Sequence, residues 1–159
     1  TIGKTLTMSL QTTNTDEKDM KITEALHTYF SVTDIHEVYV AGLEGRPYFD
    51  KVADVDTTAP NGPLHFTGEF DSVFCDTKST VMIVDKRKKR EISIAKEGSD
   101  TTVVWNPWIR KSKELPDMAD NEWSDMLCVE TVNAGDNIVT IKPGAQHTMS
   151  SIISVTKLK

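Results

Sequence analysis

A carboxylate stands inside a strongly apolar run: Glu130 follows Met126-Leu127-Cys128-Val129 and precedes Thr131-Val132. If the side chains alternate as in a strand, Cys128, Glu130 and Val132 share one face. Either that face meets water and Glu130 is simply solvated, or the carboxylate is held in a concave site. In the second case desolvation raises its pKa and suits it to general base work. His27 is the second candidate, set in Ala25-Leu26-His27-Thr28-Tyr29-Phe30. It reads as a satisfied core histidine or as a proton-transfer group, since imidazole titrates near neutral pH. Asp71, between Phe70 and Val73-Phe74, is a third polar group in an apolar setting; by itself it reads as a turn or capping acid.

Other groups carry less. The run Lys86-Arg87-Lys88-Lys89-Arg90 has the composition of a nuclear signal or phosphate patch. It lies where two strands must reverse, which makes a solvated hairpin tip the simpler reading. Trp105, Trp108 and Trp123 could stack on a sugar ring, but in such a chain they read first as core. The acidic string Glu114 to Asp125 reads as a solvated loop. Cys75 and Cys128 are too few for a disulfide framework, and no CxxC or Cys/His spacing suggests a metal site.

The elements that must position these groups are strands. Leu6, Met8 and Leu10 alternate with polar residues, and Ile22 to Val32 is a long run of aromatic and β-branched residues broken by His27. Val38 to Leu43, Glu69 to Cys75, Val81 to Val84, Val103 to Trp105, Met126 to Val132, Ile138 to Ile141 and Met149 to Val155 read as further strands. Ile92 and Ile94 mark one more. Asp54 to Pro63, with two prolines and Asn61-Gly62, reads as a loop. Trp108 to Trp123 departs from strand patterning; Pro116 limits any helix there. Roughly ten short strands with frequent turn signals predict an all-β, antiparallel sandwich or barrel.

Composition narrows the classes. The 159 residues suit one domain, and 38% hydrophobic with 26% charged residues excludes wholesale disorder. A net charge of −6 disfavours nucleic acid and anionic lipid as partners. No apolar run approaches the ~20 residues of a membrane helix, the first residues are not a signal peptide, and no Asn-X-Ser/Thr acceptor occurs. The plain expectation is a reduced, cytoplasmic protein, a plastid or other organelle remaining open. The chain begins without Met, directly in a strand pattern, which suggests a segment of something longer.

Three stretches read together carry a resemblance: Glu24-Ala25-Leu26-His27-Thr28-Tyr29-Phe30, Val103-Val104-Trp105-Asn106-Pro107-Trp108 and Met126-Leu127-Cys128-Val129-Glu130. With Gly42-Leu43-Glu44-Gly45, Tyr48-Phe49-Asp50-Lys51, Pro116-Asp117-Met118 and Lys142-Pro143-Gly144, they resemble the hexose-6-phosphate mutarotases (glucose-6-phosphate 1-epimerases) of the aldose 1-epimerase superfamily. The resemblance implies a galactose-mutarotase-like antiparallel β-sandwich, of which residues 1–159 would form a C-terminal portion. It implies catalysis by Glu130 as base and His27 as acid, with Asp71 holding sugar hydroxyls, although Ser72 stands where many relatives carry a basic residue. The substrate class would be a hexose 6-phosphate, with no metal, nucleotide or redox cofactor. The phosphate-binding arginines would belong to an N-terminal portion, which is also the one further partner implied. The alternative from another class is a non-catalytic, mutarotase-like carbohydrate-binding or assembly subunit.

Overall fold

The computed structural model describes residues 1–159. In chain order its strands are β1 (Leu6–Thr13), β2 (Met20–Ile22), β3 (Glu24–Leu26), β4 (Tyr29–Ser31), β5 (Tyr39–Ala41), β6 (Pro47–Asp50) and β7 (Val55–Thr58), then β8 (Phe70–Phe74), β9 (Val81–Asp85), β10 (Arg90–Glu97), β11 (Thr101–Asn106), β12 (Met126–Asn133), β13 (Val139–Ile141) and β14 (Gln146–Lys157). One short helix, α1, covers Trp108–Ser112, and 3-10 turns cover Glu122–Asp125 and Gly135–Asn137.

All pairings are antiparallel. One sheet has the order β1-β14-β10-β9-β5. The other runs β3-β12-β11-β8-β6-β7, with β4 also on β12, and β2 pairs β13 separately. Alternation along each strand sends one set of side chains between the sheets. Val81, Ile83, Ile92, Ile94 and Ile153 of the first sheet meet Phe30, Phe74, Val104, Leu127 and Val129 of the second in a single core cluster. Each such aliphatic side chain contributes roughly 1.5–3 kcal/mol by leaving water. Leu127 and Val129 therefore fix which face of β12 turns inward. Cys128, Glu130 and Val132 must then take the outer face, since a strand repeats every two residues.

Of the all-β sandwich or barrel expected from patterning, the sandwich that the resemblance implied is the fold observed, with fourteen strands in place of about ten. Ile22 to Val32 is not one strand: β3 and β4 are separated at His27 and Thr28. Part of Asp54 to Pro63, expected as a loop, is β7. Its four residues are all exposed and it pairs only with β6 at the sheet edge, so it needs no apolar alternation. The basic run forms the tip of the β9–β10 hairpin, where Lys89 has φ 48° and the Asp85 carboxylate accepts the Lys88 N–H at 3.1 Å. Trp108 and Trp123 pack against the core, as expected of them. No helix is long and apolar enough to cross a membrane.

Candidate active site

His27 and Glu130 are brought together by strand register. Leu26 faces Thr131 and Tyr29 faces Cys128, so the register is the same on both sides of the gap and His27 falls opposite Glu130. At the gap the Thr28 N–H turns back to the Leu26 carbonyl at 3.1 Å, and the ladder is interrupted. Nε2 of His27 lies 3.2 Å from Oε1 of Glu130; the carboxylate is 6% exposed and the imidazole 45%. The buried, concave alternative for Glu130 is thus the one realised, and His27 is not a core residue.

The rest of the site follows from the outer face of the same sheet. Trp105 on β11 stands opposite Cys128 on one side and Asp71 on the other. Asp71 is a buried member of β8, not the turn or capping acid its neighbours suggested. Its Oδ2 accepts an ion pair from Lys51 Nζ at 3.0 Å, and its backbone carbonyl accepts the Lys51 N–H at 2.8 Å. Ser72 points to the opposite, fully buried face and does not reach the site. The cavity here has a volume of about 280 Å³ and is lined by His27, Lys51, Asp71, Trp105, Lys111 and Glu130. A larger cleft of about 610 Å³, lined by Tyr29, Leu115 and Met118, shares His27 and Trp105 with it. On the other side Lys51 and Val103 also border a cleft of about 810 Å³.

Aromatic rings set the attitude of the imidazole. Tyr29 stacks on His27 with centroids 4.9 Å apart and planes 15° apart, and Trp105 meets it edge-on at 5.7 Å. Burial pushes Glu130 up to about 7; the charge of Asp71 adds to this and that of Lys51 opposes it. Burial also holds His27 below the ordinary imidazole value, against its own backbone carbonyl and Asp71, which favour the cation. Both groups are thereby poised to exchange protons near neutral pH. The Cys128 thiol, wholly buried, is pushed far above its ordinary range by burial and then by Glu130. One ligand atom from each of His27, Cys128 and Glu130 falls within 4.8 Å of the others, a set with no sequence spacing to announce it.

Lys51 is the charged residue that sequence reasoning passed over. It appeared only within the stretch Tyr48 to Lys51, and nothing in chain order connects it with Asp71. Tyr29 was likewise visible only as an aromatic in a strand. Pairing of β6 with β8 and of β4 with β12 brings both to the site.

Comparisons with known proteins bear on this arrangement. The family profile described as aldose 1-epimerase matches residues 1–154. A protein of Cenchrus ciliaris named "Putative glucose-6-phosphate 1-epimerase" is 40% identical over 89% of this chain and 43% of its own length. An Escherichia coli K12 protein of the same name is 32% identical over 95% of this chain and 50% of its own. The crystal structure of a Salmonella typhimurium protein described as "a putative mutarotase" superposes with a TM-score of 0.88 and 29% identity. The match covers 98% of this chain and 51% of that one. The chain spans about half the length of the curated relatives it matches.

Proposed function

Because the chain belongs to the aldose 1-epimerase family, we propose that it carries the acid–base pair of an enzyme interconverting the α and β anomers of an aldohexose 6-phosphate. The carrying observation is the 3.2 Å approach of His27 Nε2 to the buried carboxylate of Glu130 within one cavity. In this reading Glu130 takes the proton of the C1 hydroxyl, the C1 oxygen becomes a carbonyl, and the bond from C1 to the ring oxygen breaks. His27 delivers a proton to that oxygen, giving the open aldehyde. Rotation about C1–C2 and closure with the roles exchanged yields the other anomer.

One proton is enough for both directions. The pair begins as carboxylate and imidazolium and ends as carboxylic acid and imidazole. Burial disfavours both charged members, which favours transfer of the proton from imidazolium to carboxylate over the course of ring opening. Asp71, held by Lys51, would accept hydrogen bonds from sugar hydroxyls, and Trp105 would offer an apolar wall to the ring. The names of the Cenchrus and E. coli relatives support a phosphorylated substrate. The unpaired thiols Cys75 and Cys128 support a reducing compartment such as the cytoplasm.

Exchange spectroscopy by NMR on glucose 6-phosphate tests the reading. The chain should accelerate α–β exchange above the spontaneous rate, and Glu130→Gln or His27→Gln should each lower the acceleration by about 10²–10⁴-fold. An unchanged rate in Glu130→Gln would overturn the assignment of the base. Equal acceleration with unphosphorylated glucose would overturn the phosphate preference. Sugar binding without any exchange would leave a carbohydrate-binding module.

A further inference from the structure

We propose that His27, Cys128 and Glu130 form a binding site for a thiophilic divalent cation of the Zn²⁺ type, whose occupancy closes the acid–base pair to substrate. The function reading absorbs His27 and Glu130 but leaves Cys128 without a role. That thiol sits two residues from Glu130 on the same strand face and opposite Trp105 in the neighbouring strand. Together the three residues offer one imidazole nitrogen, one sulfur and one carboxylate oxygen, all within 4.8 Å of one another.

That donor set is chemically selective. Imidazole, thiolate and carboxylate are the zinc-binding groups of proteins, with metal–ligand distances of about 2.0–2.3 Å. The bonds to an ion at the centre of the triangle would draw the three atoms inward by small side-chain rotations. Hard cations such as Mg²⁺ and Ca²⁺ prefer oxygen alone, so sulfur at this position discriminates against them. His27 and Glu130 line the cavity while Cys128, within reach of both, is wholly buried, so the cavity side of the ion would be the fourth position, open to water. Two of the ligands lie on β12, whose eight residues are all buried, so the backbone frame is already set.

The charge balance is favourable. A thiolate and a carboxylate together supply two negative charges to a divalent ion. Of the two ammonium groups lining the cavity, that of Lys51 is paired with Asp71 at 3.0 Å and that of Lys111 with Glu69 at 3.8 Å. On binding, the Cys128 S–H bond breaks heterolytically, sulfur bonds to the metal and the proton passes to water. A protonated Glu130 gives up its proton in the same way. No electrons change hands and no co-reactant is needed. Since the ion would occupy the very atoms that exchange protons with sugar, its effect on the proposed reaction is inhibitory.

This inference rests on the proposed site only for its inhibitory consequence; metal binding itself is measured without substrate. Co²⁺ is the optical probe for the chain: a 1:1 complex should show thiolate-to-cobalt charge-transfer absorption and the visible bands of a tetrahedral ion. Zn²⁺ should bleach both. Calorimetry with Zn²⁺ in two buffers of different ionisation enthalpy should record proton release. Cys128→Ala should abolish the charge-transfer band and weaken Zn²⁺ binding by about tenfold or more, at least the loss expected for a supporting residue. Absence of the band in the native chain, or its persistence in Cys128→Ala, overturns the site. In exchange measurements saturating Zn²⁺ should return the rate to the spontaneous one, EDTA should restore it, and Cys128→Ala should exchange without zinc sensitivity. Cobalt binding with exchange that zinc leaves untouched overturns the inhibitory part. Cobalt binding by a chain that accelerates no exchange overturns the mutarotase reading and leaves the cation site standing.

Discussion

Withdrawal of Glu130 from water raises its pKa to about 7, with the negative charge of Asp71 adding to the effect. The folded chain therefore holds a proton there that the unfolded chain, with a glutamate near about 4.3, has already lost. Stability contributed by the neutral acid is present below about 4.3 and lost as pH rises to about 7. Glu130→Gln should accordingly be more stable than the native protein at pH 8, by about 4 kcal/mol at most, and the gap should narrow toward pH 4. Urea denaturation at the two pH values checks this; a gap independent of pH would show that folding leaves the ionisation of Glu130 unshifted. Lys51 acts in the opposite sense on the same carboxylate. Lys51→Met should therefore move the ionisation of Glu130 upward, and with it the acidic limb of the exchange rate profile. An unmoved limb would show that Lys51 does not reach Glu130 electrostatically.

At the scale of elements, the three-residue strand β3 is held at its start by a polar cluster. Glu24 accepts a hydrogen bond from Asn133 Nδ2 at 2.9 Å, His147 Nε2 lies 2.8 Å from the same carboxylate oxygen, and the Asn133 amide also donates to the Gly98 carbonyl at 2.8 Å. The cluster ties β3 and β12 to β14 of the other sheet, three positions before His27. Removing the amide strips a buried carboxylate of a donor, so Asn133→Ala should destabilise the fold by about 1–3 kcal/mol in urea titrations. A loss within about 0.5 kcal/mol would mean that His147 and water satisfy Glu24 without it. Gly98 has a backbone reason for its identity: at φ +67° an added Cβ would lie 2.1 Å from the Thr148 carbonyl oxygen. The β10–β11 turn therefore passes against β14 at a distance only glycine permits.

The largest loop closure in the fold joins the first strand described to the last. β1 pairs with β14 over eight residues, Leu6 against Ile153 through Thr13 against Gln146, while β9 and β10 form a local hairpin. Loop closure makes the first pairing entropically late and the second early. Met8, on β1, packs against the core. Met8→Ala should thus speed unfolding and leave refolding nearly unchanged, at a total cost of about 1–3 kcal/mol. Stopped-flow chevrons decide it: a slowed refolding limb would place β1 in the folding nucleus.

Much of this was legible in the chain. Leu127 and Val129, alternating with Cys128 and Glu130, gave the period-two pattern that assigns Glu130 to the face away from the core, because side chains in a strand have only two directions. The all-β class followed from the same pattern repeated between turns. Once the resemblance was admitted, His27, Glu130 and Asp71 were named as a group, and all three line one cavity. Chain order could not supply the partnerships. That His27 stands opposite Glu130 depends on the register of β3 and β4 on β12, and the Lys51–Asp71 ion pair depends on β6 lying beside β8. β7 was invisible for a related reason: an exposed edge strand is held by backbone hydrogen bonds to its neighbour and needs no apolar side chain. Local patterning fixes which way a side chain points. Which side chains then meet is decided by pairing between distant strands, where shared burial raises Glu130, lowers His27 and brings Cys128 within reach of both.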